Sequence, residues 1–174
     1  MKLNKNLVLV GMMGSGKSII GKILSRKLEF EFIDTDIKIE ENEKKTISEI
    51  FKINGEKYFR NIEEMISLKS LKLNNKVIAL GGGGYINPTI RKYTQKKCIS
   101  VWLNWKNTTL VNRIKNSKKR PLAMKLANLE LHKLIVKRST IYNLSDYKIN
   151  CDKLDKRQIV ENIINLYENS QNTY

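Results

Sequence analysis

Histidine is almost missing from this chain of 174 residues: His132 stands alone, which excludes a multi-histidine metal centre and argues against a histidine-based triad. It is expected to be solvated or to lie beside a mobile loop. Cysteine is nearly as scarce. Cys98 and Cys151 are far apart with no C-x-x-C spacing, so neither a disulfide framework nor a zinc site is expected. Long apolar runs are also lacking. The first, Leu7 to Val10, is cut off by Gly11 and followed by Lys17, which fits neither a signal-peptide core nor a membrane span. A soluble, cytoplasmic, monomeric protein is expected.

Acidic residues are in deficit, 17 against 33 basic ones, for a formal net charge of +16. Such an excess attracts polyanions over long range. The basic residues are 26 Lys and only 7 Arg, however, and the chain is also crowded with Asn and Ile, the composition of an A/T-rich coding sequence. The lysines are scattered, with no basic arm and no interleaved aromatics, so solvated surface charge is expected and no specific nucleic-acid partner. Against that background each Arg carries more information, because guanidinium forms planar bidentate contacts that ammonium cannot.

The most informative segment follows the first apolar strand. Gly11-Met12-Met13-Gly14-Ser15-Gly16-Lys17-Ser18 is a complete G-x-x-x-x-G-K-S phosphate loop, and Ile19 to Leu24 continues with helical spacing. Backbone N–H groups of such a loop surround phosphate oxygens. Lys17 would reach the β- and γ-phosphates of a nucleoside triphosphate, and the Ser18 hydroxyl would ligate Mg²⁺.

Strands then alternate with helices. Glu29 to Ile33 reads as a second strand that delivers Asp34-Thr35-Asp36 at its carboxyl edge, with a helix over Ile37 to Glu43. Thr46 and Glu49 form a capping box at the head of a short helix, Gly55 interrupts, and Glu56 to Leu71 is a longer amphipathic helix. Lys76 to Leu80 is a buried strand ended by Gly81-Gly82-Gly83-Gly84, and Cys98 to Leu103 a fourth strand. Helices are expected around Thr108 to Ile114, Leu129 to Tyr142 and Arg157 to Tyr167, with a fifth strand at Tyr147 to Cys151. The basic stretch around residues 115–126, which contains Pro121, reads as a mobile lid. The fold class is therefore α/β: a three-layer α/β/α sandwich on a five-stranded parallel sheet, one domain over residues 1–174. Ligands would bind at the edge where the strands' carboxyl ends gather.

A switch GTPase would need D-x-x-G after the third strand and N-K-x-D after a later one, and neither occurs. Glycines at the end of the third strand leave no carboxylate there for Mg²⁺, so Asp34 on the neighbouring strand is the candidate. A small-molecule kinase fits best. Asp36, one dipeptide beyond Asp34 in an extended strand, would face the same edge and orient or deprotonate an acceptor hydroxyl. N–H groups of the glycine run could contact that acceptor directly. Arg60 and Arg138 are candidates for clamping an anionic group on it, with Glu63 three residues after Arg60 to fix its rotamer.

Taken together the phosphate loop, Asp34-Thr35-Asp36, Phe59-Arg60-x-x-Glu63, Leu80-Gly81-Gly82-Gly83, Arg120-Pro121-Leu122 and Lys137-Arg138 before Tyr142 resemble the shikimate kinase family, in that family's order and over nearly the whole chain. The resemblance implies a fold like that of nucleoside monophosphate kinases and transfer of phosphate from ATP, with Mg²⁺, to the 3-hydroxyl of shikimate. By position it implies shikimate binding by Asp36, Arg60, Gly82, Gly83 and Arg138. It implies ATP binding by Gly14, Ser15, Gly16, Lys17, Ser18, Ile19, Arg113 and Arg120, with Lys17, Asp36 and Arg120 in the chemistry, and Mg²⁺ at Ser18 and, through water, Asp34. A gluconate-kinase-like enzyme and a basic, RNA-associated nucleotide-binding module are the alternatives. The chain departs from the family's pattern at Ile19, where a hydroxyl residue is usual and only the backbone N–H would remain to meet phosphate. The stretch from Cys151 to Lys156 offers no distinctive match, which leaves the base contacts unassigned.

Overall fold

A computed structural model describes residues 5–116 and 126–172. Five short strands form one parallel sheet: β1 (Leu7–Val10), β2 (Glu31–Asp34), β3 (Lys76–Ala79), β4 (Ile99–Asn104) and β5 (Tyr147–Asn150), in the spatial order β2-β3-β1-β4-β5. The all-apolar β1 takes the centre, with Leu7 level with Val77 on one side and Ile99 on the other. A strand flanked on both edges and covered on both faces needs apolar side chains in both directions, and all four residues of β1 are buried.

The connecting helices are α1 (Lys17–Leu28), α2 (Thr35–Glu43), α3 (Ile47–Leu71), α4 (Pro88–Lys97), α5 (Asn107–Lys115), α6 (Asn128–Tyr142) and α7 (Lys156–Asn172). Alternation along the strands divides the core. Val8, Val10, Ile78 and Trp102 pack with side chains of α3, α4, α5 and α6 on one face, while Leu7, Leu9, Val77 and Val101 pack with α1 and α7 on the other. A third cluster, Ile39, Ile50, Phe59 and Ile66, holds α2 against α3.

Local chemistry sets the boundaries. Both halves of the Thr46/Glu49 capping box are formed at the head of α3. The expected interruption at Gly55 is present: its φ of 79° and ψ of 174° are non-helical and suit a residue without Cβ, so α3 is two helices that meet there at a kink. Two features differ from expectation. Asp36 is not extended: β2 ends at Asp34, whose carboxylate caps α2, so Asp36 lies in the first helical turn. Helix α4, capped by Asn87 and opened by Pro88 at its first turn, has no counterpart among the expected elements, because it is strongly polar with few buried residues. Most of the expected lid, including Arg120, lies outside the described residues. No helix among the described residues is long and apolar enough to cross a membrane.

Candidate active site

Because every strand is parallel, the segments leaving β1 to β5 meet along one edge. The phosphate loop follows β1. Gly14 and Gly16 take φ of 79° and 90°, and Gly16 sits at the N-terminus of α1, whose first N–H groups and dipole favour an anion. Lys17 is buried, and its ammonium donates to Gly11 O at 2.7 Å and Met12 O at 3.0 Å, which holds it across the loop. Ser18 Oγ donates to Asp34 Oδ2 at 2.5 Å. A hydroxyl and a carboxylate side by side at the loop are hard oxygen donors that suit Mg²⁺, which takes few protein ligands and keeps several waters.

Beyond the loop lies a cavity of about 720 Å³. Its walls include Gly14, Ile19, Trp105 and Arg113 on one side and Leu154 to Arg157, at the start of α7, on the other. The Arg113 guanidinium lies over the Trp105 ring, 3.7 Å from the centroid, and donates to Gly14 O at 3.4 Å. The Trp105 indole N–H donates to Ser15 O at 2.9 Å. Ile19 lines this space with an exposed apolar side chain, and its N–H donates to Gly16 O at 3.0 Å in the first turn of α1.

The glycine run after β3 contributes Gly83 to a second cavity of about 590 Å³, bordered also by Arg60, Glu63, Lys137 and Arg138 among others. Three distant segments converge on the run. A Cβ on Gly81 would collide with Asp36 Oδ1, a Cβ on Gly83 would collide with Arg60 Nη1, and a Cβ on Gly82 would stand 3.7 Å from Arg138 Nη1 and 3.2 Å from the Met13 backbone nitrogen of the phosphate loop. A side chain on the run would therefore press on the groups that approach it, displacing Asp36 or Arg60 at Gly81 and Gly83 and crowding the loop backbone at Gly82. Thus Asp36 reaches the run from a helical turn, although not by the strand geometry expected of it. Tyr142, on the same helix as Arg138, donates its hydroxyl to Gly82 O at 2.5 Å and anchors the run from behind.

Arg60 is held by two carboxylates. Its Nη1 donates to Glu63 Oε2 at 2.7 Å, while Nε and Nη2 both donate to Glu56 Oε1, at 3.3 and 3.1 Å. Burial pushes the Glu63 carboxyl above its ordinary value, against the downward pull of Arg60, and the neighbouring Asp36 adds to the rise. Both cysteines are buried, which pushes their thiols up to about 12 and leaves them chemically inert.

A family model described as shikimate kinase matches residues 13–168. The chain belongs to the shikimate kinase family. Among curated relatives, the shikimate kinase of Bartonella henselae is 40% identical over 162 residues, covering 92% of this chain and 77% of that one. That of Sulfurihydrogenibium sp. is 39% identical over 160 residues, covering 92% and 96%. The structure of shikimate kinase from Acinetobacter baumannii in complex with shikimate superposes with a TM-score of 0.89 at 29% identity, over 96% of this chain and 94% of that one. A gluconokinase from Sinorhizobium meliloti, at a TM-score of 0.61 and 15% identity, shares the fold alone. Membership of the shikimate kinase family makes this chain a phosphotransferase and favours that reading over the gluconate-kinase and RNA-associated alternatives.

For a shikimate kinase family member, the sequence missed three local features of the site. Trp105 carries no motif, and its role depends on the sheet bringing β4 beside the phosphate loop. Glu56 was visible four residues before Arg60, the spacing of a helical ion pair, and could have been found from that signal. The wall from Leu154 to Ile159 closes the far side of the cavity beside Trp105; the sequence pointed to the loop Cys151 to Lys156 without a signature that would assign its residues.

Proposed function

We propose that this chain transfers the γ-phosphoryl group of ATP to the 3-hydroxyl of shikimate, acting as a single-domain, cytoplasmic monomer. The observation that carries this reading is the convergence of Asp36, Arg60 and Arg138 on one glycine run that abuts the phosphate loop.

Each residue has a task that follows from its chemistry. Arg60 and Arg138 present planar forks that match the acceptor's carboxylate, and Glu63, buried beneath Arg60, fixes the direction of one fork. Gly82 and Gly83 let the acceptor approach the backbone. The Asp36 carboxylate accepts a hydrogen bond from the 3-hydroxyl and takes its proton as the oxygen bonds to the γ-phosphorus and the bond to the leaving ADP oxygen breaks. Lys17 and the loop N–H groups hold the β- and γ-phosphates. Ser18, with Asp34 behind it, would hold Mg²⁺, which when bound neutralises charge on the phosphate oxygens. The cavity beside Trp105 and Arg113 would take the nucleoside. Arg120, assigned to the phosphates by the family resemblance, lies outside the described residues.

The test is a panel of acceptors, shikimate and gluconate among them, supplied with ATP and Mg²⁺, with ADP release measured and the product's phosphate located by NMR. ADP release that requires shikimate and a phosphate on its 3-oxygen are the expected results. Turnover with gluconate in place of shikimate, or ATP consumption dependent on RNA, would overturn the reading.

A further inference from the structure

Trp105 leaves β4 and stands between the phosphate loop and α5. Its indole nitrogen touches the loop's backbone at Ser15 O, and its ring face carries the Arg113 guanidinium. One side chain therefore governs two parts of the nucleotide cavity that are distant in sequence.

The first link acts through peptide planarity. Ser15 C=O and Gly16 N–H belong to one trans peptide unit, so the two point in opposite directions. Holding the carbonyl on the indole therefore turns the Gly16 N–H to the opposite side, away from Trp105. The second link acts through stacking. A guanidinium within about 6 Å of an indole centroid is attracted to the ring face, and here the distance of 3.7 Å places the two in direct contact at the cavity. Trp105 is itself anchored. Asp152 Oδ2 accepts the N–H of Lys106, the next residue, at 2.7 Å, Asp152 Oδ1 accepts from Thr109 Oγ at 2.7 Å, and apolar side chains from both core clusters pack on the indole.

We propose that Trp105 is a positioning residue for the nucleotide, aiming the Gly16 N–H at phosphate and holding the Arg113 guanidinium over its ring at the cavity wall. This rests on the reading of that cavity as the ATP site.

Steady-state kinetics with ATP and shikimate varied separately, on Trp105→Phe and Trp105→Leu, test the role, with thermal melts alongside. Trp105→Phe keeps a ring for Arg113 but has no N–H donor, so the KM for ATP should rise about fivefold. Trp105→Leu loses both links and should raise it about tenfold or more, while the KM for shikimate stays within about twofold of wild type. In an Arg113→Met background the excess of Trp105→Leu over Trp105→Phe should vanish, since only the stack separates them. An unchanged KM for ATP in both variants overturns the role, as does an equal rise for both substrates, which would mean general loosening. Should Trp105→Leu fail to fold, Trp105→Phe alone decides. Wild-type protein that shows no ATP-dependent shikimate phosphorylation would instead overturn the function itself.

Discussion

Asp34 serves Ser18 and helix α2 at once: its Oδ2 accepts the Ser18 hydroxyl at 2.5 Å, while its Oδ1 accepts the N–H groups of Asp36 at 3.1 Å and Ile37 at 3.5 Å. The carboxylate that faces the phosphate loop is thus also the cap that starts the helix carrying Asp36. The placements of the oxygen beside Ser18 and of the Asp36 carboxylate are therefore coupled through a single side chain.

The two duties can be separated by substitution. Asp34→Asn keeps an oxygen that can cap α2 but removes the charge beside Ser18. Its melting temperature should stay near that of wild type while the Mg²⁺ concentration for half-maximal turnover rises severalfold. Asp34→Ala removes the cap as well and should cost about 1 kcal/mol in chemical denaturation. A Mg²⁺ titration that is identical for wild type and Asp34→Asn would remove Asp34 from the metal site.

Glu63 makes stability depend on pH in an unusual direction. Its carboxyl is raised from an ordinary value of 4.5, chiefly by burial. The folded protein therefore holds this proton more tightly than the unfolded chain, and the slope of stability with pH is negative across the interval between the two pKa values. The contribution is fully present below 4.5 and is lost as pH rises through the folded value. Glu63→Gln cannot titrate, so the stability difference between wild type and Glu63→Gln should shrink or change sign as pH rises from 4.5, in urea denaturation at matched ionic strength. A difference that instead grows steadily with pH would mean that Arg60, not burial, dominates the Glu63 environment.

Much of this site could be read from residue order. The phosphate loop needs only its own backbone and the strand and helix on either side, so a local pattern specifies it. The Thr46/Glu49 box and the break at Gly55 are likewise decided within a few residues. Asp36 illustrates the limit. Treating it as a continuation of β2 gave the right neighbourhood for the wrong reason, because the Asp34 carboxylate captures two N–H groups and starts a helix at Thr35. Trp105 and the wall at Leu154 lay beyond reach for another cause: their positions depend on which strands lie side by side, β1 with β4 and β4 with β5, and strand order leaves no local trace.

Gly83 offers a way to disturb Arg60 without touching it. The Gly83 backbone is right-handed helical, with φ of −94° and ψ of −19°, so alanine is permitted there conformationally. The new methyl would meet Arg60 Nη1, the far end of a flexible side chain that can swing aside. Gly83→Ala should therefore still fold, at a cost of about 1–3 kcal/mol, since moving Arg60 Nη1 aside takes a partner from the buried Glu63 carboxylate. The KM for shikimate should rise about tenfold, the scale of one lost charge-assisted contact, with the KM for ATP unchanged. Loss of folding, or an unaltered shikimate KM, would contradict the placement of Arg60 against the run.

Glu56 occupies the edge of Arg60 that a bound carboxylate would want. One of its oxygens accepts from both Nε and Nη2, while the Nη1 corner is already committed to the buried Glu63. A fork has only so many donors, so an acceptor that approaches through Nε and Nη2 must displace Glu56 first. The displacement is cheap. The Glu56 side chain is 68% exposed, and an exposed pair four residues apart on a helix contributes about 0.3–0.5 kcal/mol. Glu56→Ala should accordingly lower the KM for shikimate about twofold and leave kcat and the KM for ATP as they are, with the gain fading at high ionic strength as the competing pair in wild type is screened. The opposite sign is equally informative: a KM that rises on removal of Glu56 would mean that this carboxylate pre-orients the guanidinium for its substrate instead of competing with it, and the salt dependence would then reverse as well.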